Sequence, residues 1–251
     1  MTLMQAKRRA NKAFRESGRT HLVAEFGGPD YQVLEVADNM NCLKIVHIAC
    51  PPELRISISE GNRKMGYIPS ISFPPDMTCA GLGRPCFEDG ECYAMRNMYD
   101  FRPTIAKAWD RNWHIWDSSP DLYWAHIACY LNTVEPPNFR FFVGGGCPSQ
   151  EYFNSAAELM ARYPKTKALM FDKGYDIGID YSPAPPNLAV VLSMWPGMDV
   201  PSEDYADMPR SWIEGDPRAP RNGVECAGHC WNCGMCWNLR KLGRDVILHK
   251  H

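Results

Sequence analysis

The clearest pattern of apolar and polar positions lies between Arg140 and Met194. Three short apolar runs, Arg140–Val143, Lys167–Phe171 and Leu188–Met194, read as strands. Between the first two, Gln150–Tyr163 places Phe153, Ala156, Ala157 and Met160 at helical spacing on one face. Apolar strands alternating with helices predict parallel βα units and a sheet covered on its faces. Upstream, Val33–Val36, Leu43–Ala49, Arg55–Ser59 and Gly66–Phe73 have β character, punctuated by Pro51-Pro52 and Glu60-Gly61-Asn62. Ile105, Trp109, Trp113 and Trp116 then repeat at helical spacing, as do Trp124, Ile127, Ala128 and Leu131. Pro103 and Pro120 stand near the two helix starts, where a missing N–H costs least. The tryptophans read as core. A last strand candidate is Asp245–His249.

Charge changes the picture at two places. Residues 4–19 carry Lys7, Arg8, Arg9, Lys12, Arg15 and Arg19 against Glu16, the pattern of an exposed basic helix. Residues 197–217 are acidic and broken by Pro201, Pro209 and Pro217, which predicts a loop, a lid or a bridge. The chain thus divides into an N-terminal extension (1–61), an α/β core (62–221) and a C-terminal segment (222–251). Over 251 residues, 27 Lys and Arg stand against 29 Asp and Glu. That balance argues against a general DNA-coating protein, while a local nucleic-acid groove stays open. The longest aliphatic run, Leu188–Leu192, is far below the roughly 18–20 residues that span a bilayer, so no membrane partner is expected.

Eleven cysteines are the chemical signal. The number is odd, and Met1–Arg19 has no apolar stretch of the secretory kind, so a cytoplasmic setting with clustered metal or redox ligands is expected. The sharpest motif is Cys226-x3-Cys230-x2-Cys233-x2-Cys236-Trp237, whose spacing lets successive thiolates turn toward one inorganic centre. A looser group, Cys79-x6-Cys86-x5-Cys92, follows the run Gly66–Phe73, and loops after strands are where α/β folds place their sites. The isolated Cys42, Cys50, Cys129 and Cys147 read as small hydrophobes. His229 and His249 are alternative ligands near the C-terminal run.

Several blocks together resemble the phage and bacterial gene product 88 family. They are Ile68-Pro69-Ser70-Ile71-Ser72-Phe73-Pro74-Pro75 leading to Thr78-Cys79, then Cys92-Tyr93-Ala94 and Arg111-Asn112. Further blocks are Gly144-Gly145 after its strand, Tyr152-Phe153, Pro186-Asn187-Leu188, and Ser193-Met194-Trp195-Pro196-Gly197. The closing Cys-x2-Cys-x2-Cys-Trp completes the set. That family looks like a relative of the radical S-adenosylmethionine (SAM) enzymes. The resemblance implies a partial (β/α) barrel, a thiolate-held 4Fe-4S cluster, and SAM as a further cofactor beside Gly144, Gly145 and Gly146. Gly146 stands where the related motif has an acid, and the N-terminal cysteine spacing is wider.

Seven thiols are candidate ligands: Cys79, Cys86, Cys92, Cys226, Cys230, Cys233 and Cys236. Two clusters, or one cluster sharing C-terminal thiols with one N-terminal thiol, are the two ways to distribute them, and one cluster is preferred. Lys173, Asp172, Asn187 and Ser193, near predicted strand ends, are candidates for catalytic roles. The expected function is an iron–sulfur protein, an enzyme of unassigned substrate on a radical-SAM-like α/β barrel. The alternative is a zinc-stapled barrel that binds or modifies nucleic acid through the basic helix and Arg240, Lys241 and Arg244, with His249 completing the zinc site.

Overall fold

The computed structural model describes residues 1–25, 31–35, 44–79, 81–96 and 102–249. Cys42, Val36 and Leu43, named among the sequence expectations, lie outside the described residues. The chain forms two units, one of 1–57 with 110–135 and one of 58–109 with 136–251. Residues 110–135 join the N-terminal unit, and residues 222–251 supply strands to the large sheet.

In the first unit, helix α1 (Leu3–Ser17) starts in a capping box, with Thr2 and Gln5 each satisfying the other's backbone N–H. It ends at Gly18, whose left-handed φ of 71° closes the last turn. Its fully buried Ala6 and Ala10 allow close packing on Val23, Val46 and Ala49. Those residues belong to an antiparallel sheet of order β2-β1-β3, made of β1 (His21–Glu25), β2 (Tyr31–Glu35) and β3 (Lys44–Ala49). Strand β1 carries a register shift between Val23 and Ala24. The β character of this region is thus realised as hairpin-type pairing that includes His21–Glu25, a strand the apolar pattern did not mark.

The second unit is built on seven parallel strands. They are β4 (Ser70–Ile71), β5 (Asn138–Phe141), β6 (Lys167–Asp172), β7 (Leu188–Ser193), β8 (Arg210–Ile213), β9 (Val224–Glu225) and β10 (Val246–Leu248). Their order in the sheet is β4-β5-β6-β7-β8-β10-β9, so the sheet grows in chain order until its last two strands. Strands β4 and β9 are the edges and do not pair with each other, so among the described residues the sheet is open and forms no closed barrel. The apolar runs explain β6 and β7, which are largely buried along their length, as parallel strands covered on both faces are.

Short helices α2 (Pro75–Thr78) and α3 (Pro85–Glu88) follow β4. The two predicted tryptophan-bearing helices are present as α4 (Pro103–Ser118) and α5 (Pro120–Val134). Helix α6 (Gln150–Ala161) links β5 to β6, opened by the Ser149 hydroxyl accepting from the Tyr152 amide at 3.2 Å. Two expected strands shrink. Arg55–Ser59 contributes an isolated bridge from Ser59 to Ser70, and Gly66–Phe73 narrows to Ser70–Ile71. Pro69, Pro74 and Pro75 lack amide hydrogens and so limit how far this edge can pair. The stretch predicted as an acidic loop contains β8. Asp245 builds it, accepting from the Arg210 amide at 2.9 Å and the Trp212 indole at 2.8 Å.

Candidate functional site

Alternation along the parallel strands sends one set of side chains to a common cleft of about 280 Å³ near their carboxyl ends. From β6 come Leu169 and Phe171, with Lys173 just beyond; β5 gives Arg140, and β7 gives Ser193. Phe142, at a left-handed φ of 58°, turns the chain out of β5 and into Gly144-Gly145-Gly146, all of which line the cleft.

Six of the seven candidate thiols line this cleft: Cys79, Cys86, Cys92, Cys226, Cys230 and Cys236. Cys233 is exposed and does not. The N-terminal three come from the segment after β4. The C-terminal three sit on a run that contains the short helix α7 (Cys230–Cys233) and turns at Gly234, with φ of 59°. An apolar seat of Leu169, Val191, Leu239 and Val246 carries Cys226, Cys236 and Trp237 onto the sheet. Two hydrogen bonds fix the run: the Cys230 amide donates to the Lys64 carbonyl at 3.0 Å, and the Trp237 indole to the Lys167 carbonyl at 3.1 Å. Gly66 is needed there, since a Cβ would stand 2.5 Å from that of Trp231.

Burial pushes the Cys236 thiol up to about 12, with Cys226 and Cys230 adding repulsion. Burial also raises Cys230 and Cys86. These thiols resist ionising together unless a cation joins them, which couples metal binding to proton release. Among the described residues, no group of three or more His, Cys, Asp and Glu side chains is arranged to hold a metal ion. The thiols share a cleft without closing on a single point.

The cleft is rich in cations. Arg84 is 1% exposed and forms a two-pronged pair with Asp176, Nε to Oδ2 at 2.6 Å and Nη2 to Oδ1 at 2.7 Å. Burial works against the Arg84 charge, and the Asp176 carboxylate more than offsets it, holding the pKa above its ordinary value. The remaining Nη1 donates to the Thr78 carbonyl at 3.2 Å and to Cys79 Sγ at 3.3 Å. Arg140 is half-buried and stacks on Phe171 at 5.1 Å, but its buried Nε has no hydrogen-bond partner among the described residues. Burial lowers its pKa; the groups that oppose this are Cys230 and Cys236, then Tyr93 and Cys226. Lys173 Nζ donates to Ser193 Oγ at 2.8 Å.

The other sequence candidates separate cleanly. Asp172, 1% exposed, is a structural staple: it accepts from the Cys147 amide (2.9 Å), the Gly174 amide (3.1 Å) and the Tyr181 hydroxyl (2.5 Å). Asn187 Nδ2 lies within 3.0 Å of the Met160, Tyr163 and Thr166 carbonyls, closing the end of α6, and it is not on the cleft. The three glycines have reasons internal to the protein. A Cβ on Gly144 would meet Trp109 at 2.2 Å, and one on Gly145 would meet the Phe73 carbonyl at 2.6 Å. The Gly144 and Gly146 amides already donate to Ser72 and Thr78 hydroxyls. His249 lines the cleft and pairs with Glu214 at 3.0 Å, whereas His229 sits at the start of α7. Cys50 and Cys147 are buried and Cys129 is half-buried.

Arg84 and Arg140 were absent from the sequence-based candidates. Arg140 left a signal, a charge at a position whose β-face neighbour is Phe142. Arg84, between Gly83 and Pro85, left none.

Fold and site together define an open parallel α/β protein with a thiol-lined, cationic cleft at the carboxyl ends of its strands. The chain belongs to the gene product 88 family, whose profile matches residues 56–238. No curated protein and no solved structure matches it. No helix among the described residues is long and apolar enough to cross a membrane.

Proposed function

We propose that the protein binds one iron–sulfur cluster in this cleft, through Cys226, Cys230 and Cys236 together with Cys79. The observation that carries the reading is the gathering of six thiols from two distant segments around one cleft. Beside them Arg140 has no carboxylate partner within ion-pair reach among the described residues, so a thiolate-bound centre of net negative charge suits it. Cys79 is preferred among the N-terminal thiols because the Arg84 guanidinium donates to its sulfur at 3.3 Å and holds it at the cleft.

The donor set fits in its chemistry: soft thiolates, an apolar seat and hydrogen-bonded surroundings favour an iron–sulfur centre over hard-cation sites. When bound, such a cluster supplies one-electron transfer, or a Lewis-acidic iron where a thiolate is missing. The chain's own residues do the rest. Arg84 orients Cys79, Arg140 compensates charge, and the open cleft admits a small ligand. We read the open sheet as a partial (β/α) barrel, because its strands follow chain order and its cleft lies at their carboxyl ends, where barrels place their sites. On that reading the protein is an enzyme whose substrate enters beside the cluster.

The test is optical. Anaerobically purified protein is expected to show broad visible absorption that dithionite bleaches, and Cys236→Ala to lose it. Colourless protein carrying stoichiometric zinc overturns the proposal in favour of a zinc staple.

A further inference from the structure

We propose that Lys173 and Ser193 form a subsite for the carboxylate or phosphate group of a small organic anion with an aromatic or apolar body. The first support is a charge balance. Lys173 follows β6 and is half-buried in the cleft, and its Nζ meets a neutral hydroxyl, Ser193 Oγ, at 2.8 Å. Among the described residues no carboxylate lies within ion-pair distance of it, and each nearby acid is engaged elsewhere. Asp172 points its oxygens at two amides and Tyr181. Asp176 is bound to Arg84, and Glu91 to Arg96 at 3.4 Å. An ammonium held in a partly desolvated cleft without a counter-ion attracts an anion strongly.

The second support is donor geometry. Ser193 accepts from Lys173, so its own hydroxyl proton is left to donate elsewhere. Lys173 keeps two further N–H donors. Two side chains, one just past the end of β6 and one at the end of the neighbouring β7, thus offer donors at one place, and a tetrahedral phosphate or planar carboxylate oxygen pair can use both.

The third support is what surrounds them. Phe142, Phe171 and Trp195 line the same cleft, so the rest of the ligand meets aromatic surface. Trp195 is positioned by its own clasp, with Arg218 Nη2 donating to its carbonyl at 2.8 Å and Asp216 holding Arg218 at 2.7 Å. The cleft's 280 Å³ is near the lower end of small-molecule sites, about 300 Å³, and the six thiols share it, which limits the body to roughly one ring. The subsite stands on these residues alone and does not need the cluster.

The experiment titrates phenyl phosphate, benzoate and uncharged benzyl alcohol into the full-length protein, followed by calorimetry and ligand-observed NMR. At least one of the two anions is expected to bind about tenfold or more tightly than benzyl alcohol, and the stronger one identifies phosphate or carboxylate as the native group. Lys173→Met should cost about tenfold or more in that affinity, Lys173→Arg should restore most of it, and Ser193→Ala should cost a few-fold, about threefold. Equal binding of all three probes, no binding of any, or unchanged affinity in Lys173→Met overturns the subsite. Iron and sulfide measured on the same samples keep the two proposals apart. Low iron with intact anion binding counts against the cluster alone, and full iron with no anion selectivity counts against the subsite alone.

Discussion

The two units differ in what they do with their buried polar groups. In the first, three neutral side chains are consumed by backbone, and one charged group, Arg111, keeps a buried Nε without a partner among the described residues. His126 Nε2 lies 2.9 Å from the Leu54 carbonyl, Asn112 binds both the amide and the carbonyl of Ser57 at 2.6 and 2.9 Å, and Asn132 donates to the Ile45 carbonyl at 2.8 Å. Burial lowers His126 to about 4, so it stays uncharged. In the second unit the cleft keeps a guanidinium nitrogen without a hydrogen-bond partner among the described residues, an ammonium hydrogen-bonded to a hydroxyl, and thiols raised by burial. Satisfied neutral groups hold a fold together; unmatched charges and soft nucleophiles in a cleft mark a place prepared for something else. Within the second unit the same contrast recurs, with Asp172 and Asn187 saturated and Lys173 not.

The contrast can be broken by substitution, and the largest effect is expected where a charge is fully matched. Asp176→Ala strands the buried Arg84 and should cost about 3 kcal/mol, read as a fall in thermal or denaturant midpoint. A loss under about 1 kcal/mol would show that Arg84 finds another partner. Asn187→Ala removes the donor to three carbonyls at the end of α6 and should cost about 2 kcal/mol by the same measurement.

In the first unit, His126 gives a pH signature. Its folded pKa lies below the unfolded value near 6.5, so its contribution is present above that value and is lost as pH falls toward about 4. Denaturant titrations should show a decline of roughly 2 kcal/mol across that window, flattened in His126→Gln. Arg140→Met should be the smallest perturbation of stability in metal-free protein, under about 1 kcal/mol, because its Nε has no hydrogen-bond partner among the described residues and its Nη1 contact to Met65 Sδ, at 3.9 Å, is weak. The same variant should lower iron content, and unchanged iron would remove Arg140 from the cluster account.

Much of the parallel sheet was legible because β6 and β7 are continuous apolar runs, and α6 because its apolar face repeats at helical spacing. Strand β8 was not. Only Trp212 and Ile213 of its four residues are apolar, and its anchor, Asp245, is 35 positions from Arg210. The cysteine motifs stood out in the sequence, but their spacing could not show that Cys79, Cys86 and Cys92 share a cleft with the C-terminal run. That is a tertiary fact, set by sheet order and by the Lys64–Cys230 hydrogen bond. The triple glycine entered only as a place beside SAM, and its spacing could not show that Trp109 and the Phe73 carbonyl pack against Gly144 and Gly145. Asp172 and Asn187 carried the right residue types at strand ends, yet only their hydrogen bonds separate a staple from a reactive group.

The thiol cleft is proposed to hold one iron–sulfur cluster. Iron and acid-labile sulfide counted on anaerobically prepared protein test this most directly. About four of each per chain are expected, falling sharply in Cys79→Ala and Cys236→Ala but not in Cys233→Ala. Stoichiometric zinc without iron, or iron that survives loss of both Cys79 and Cys236, would contradict it.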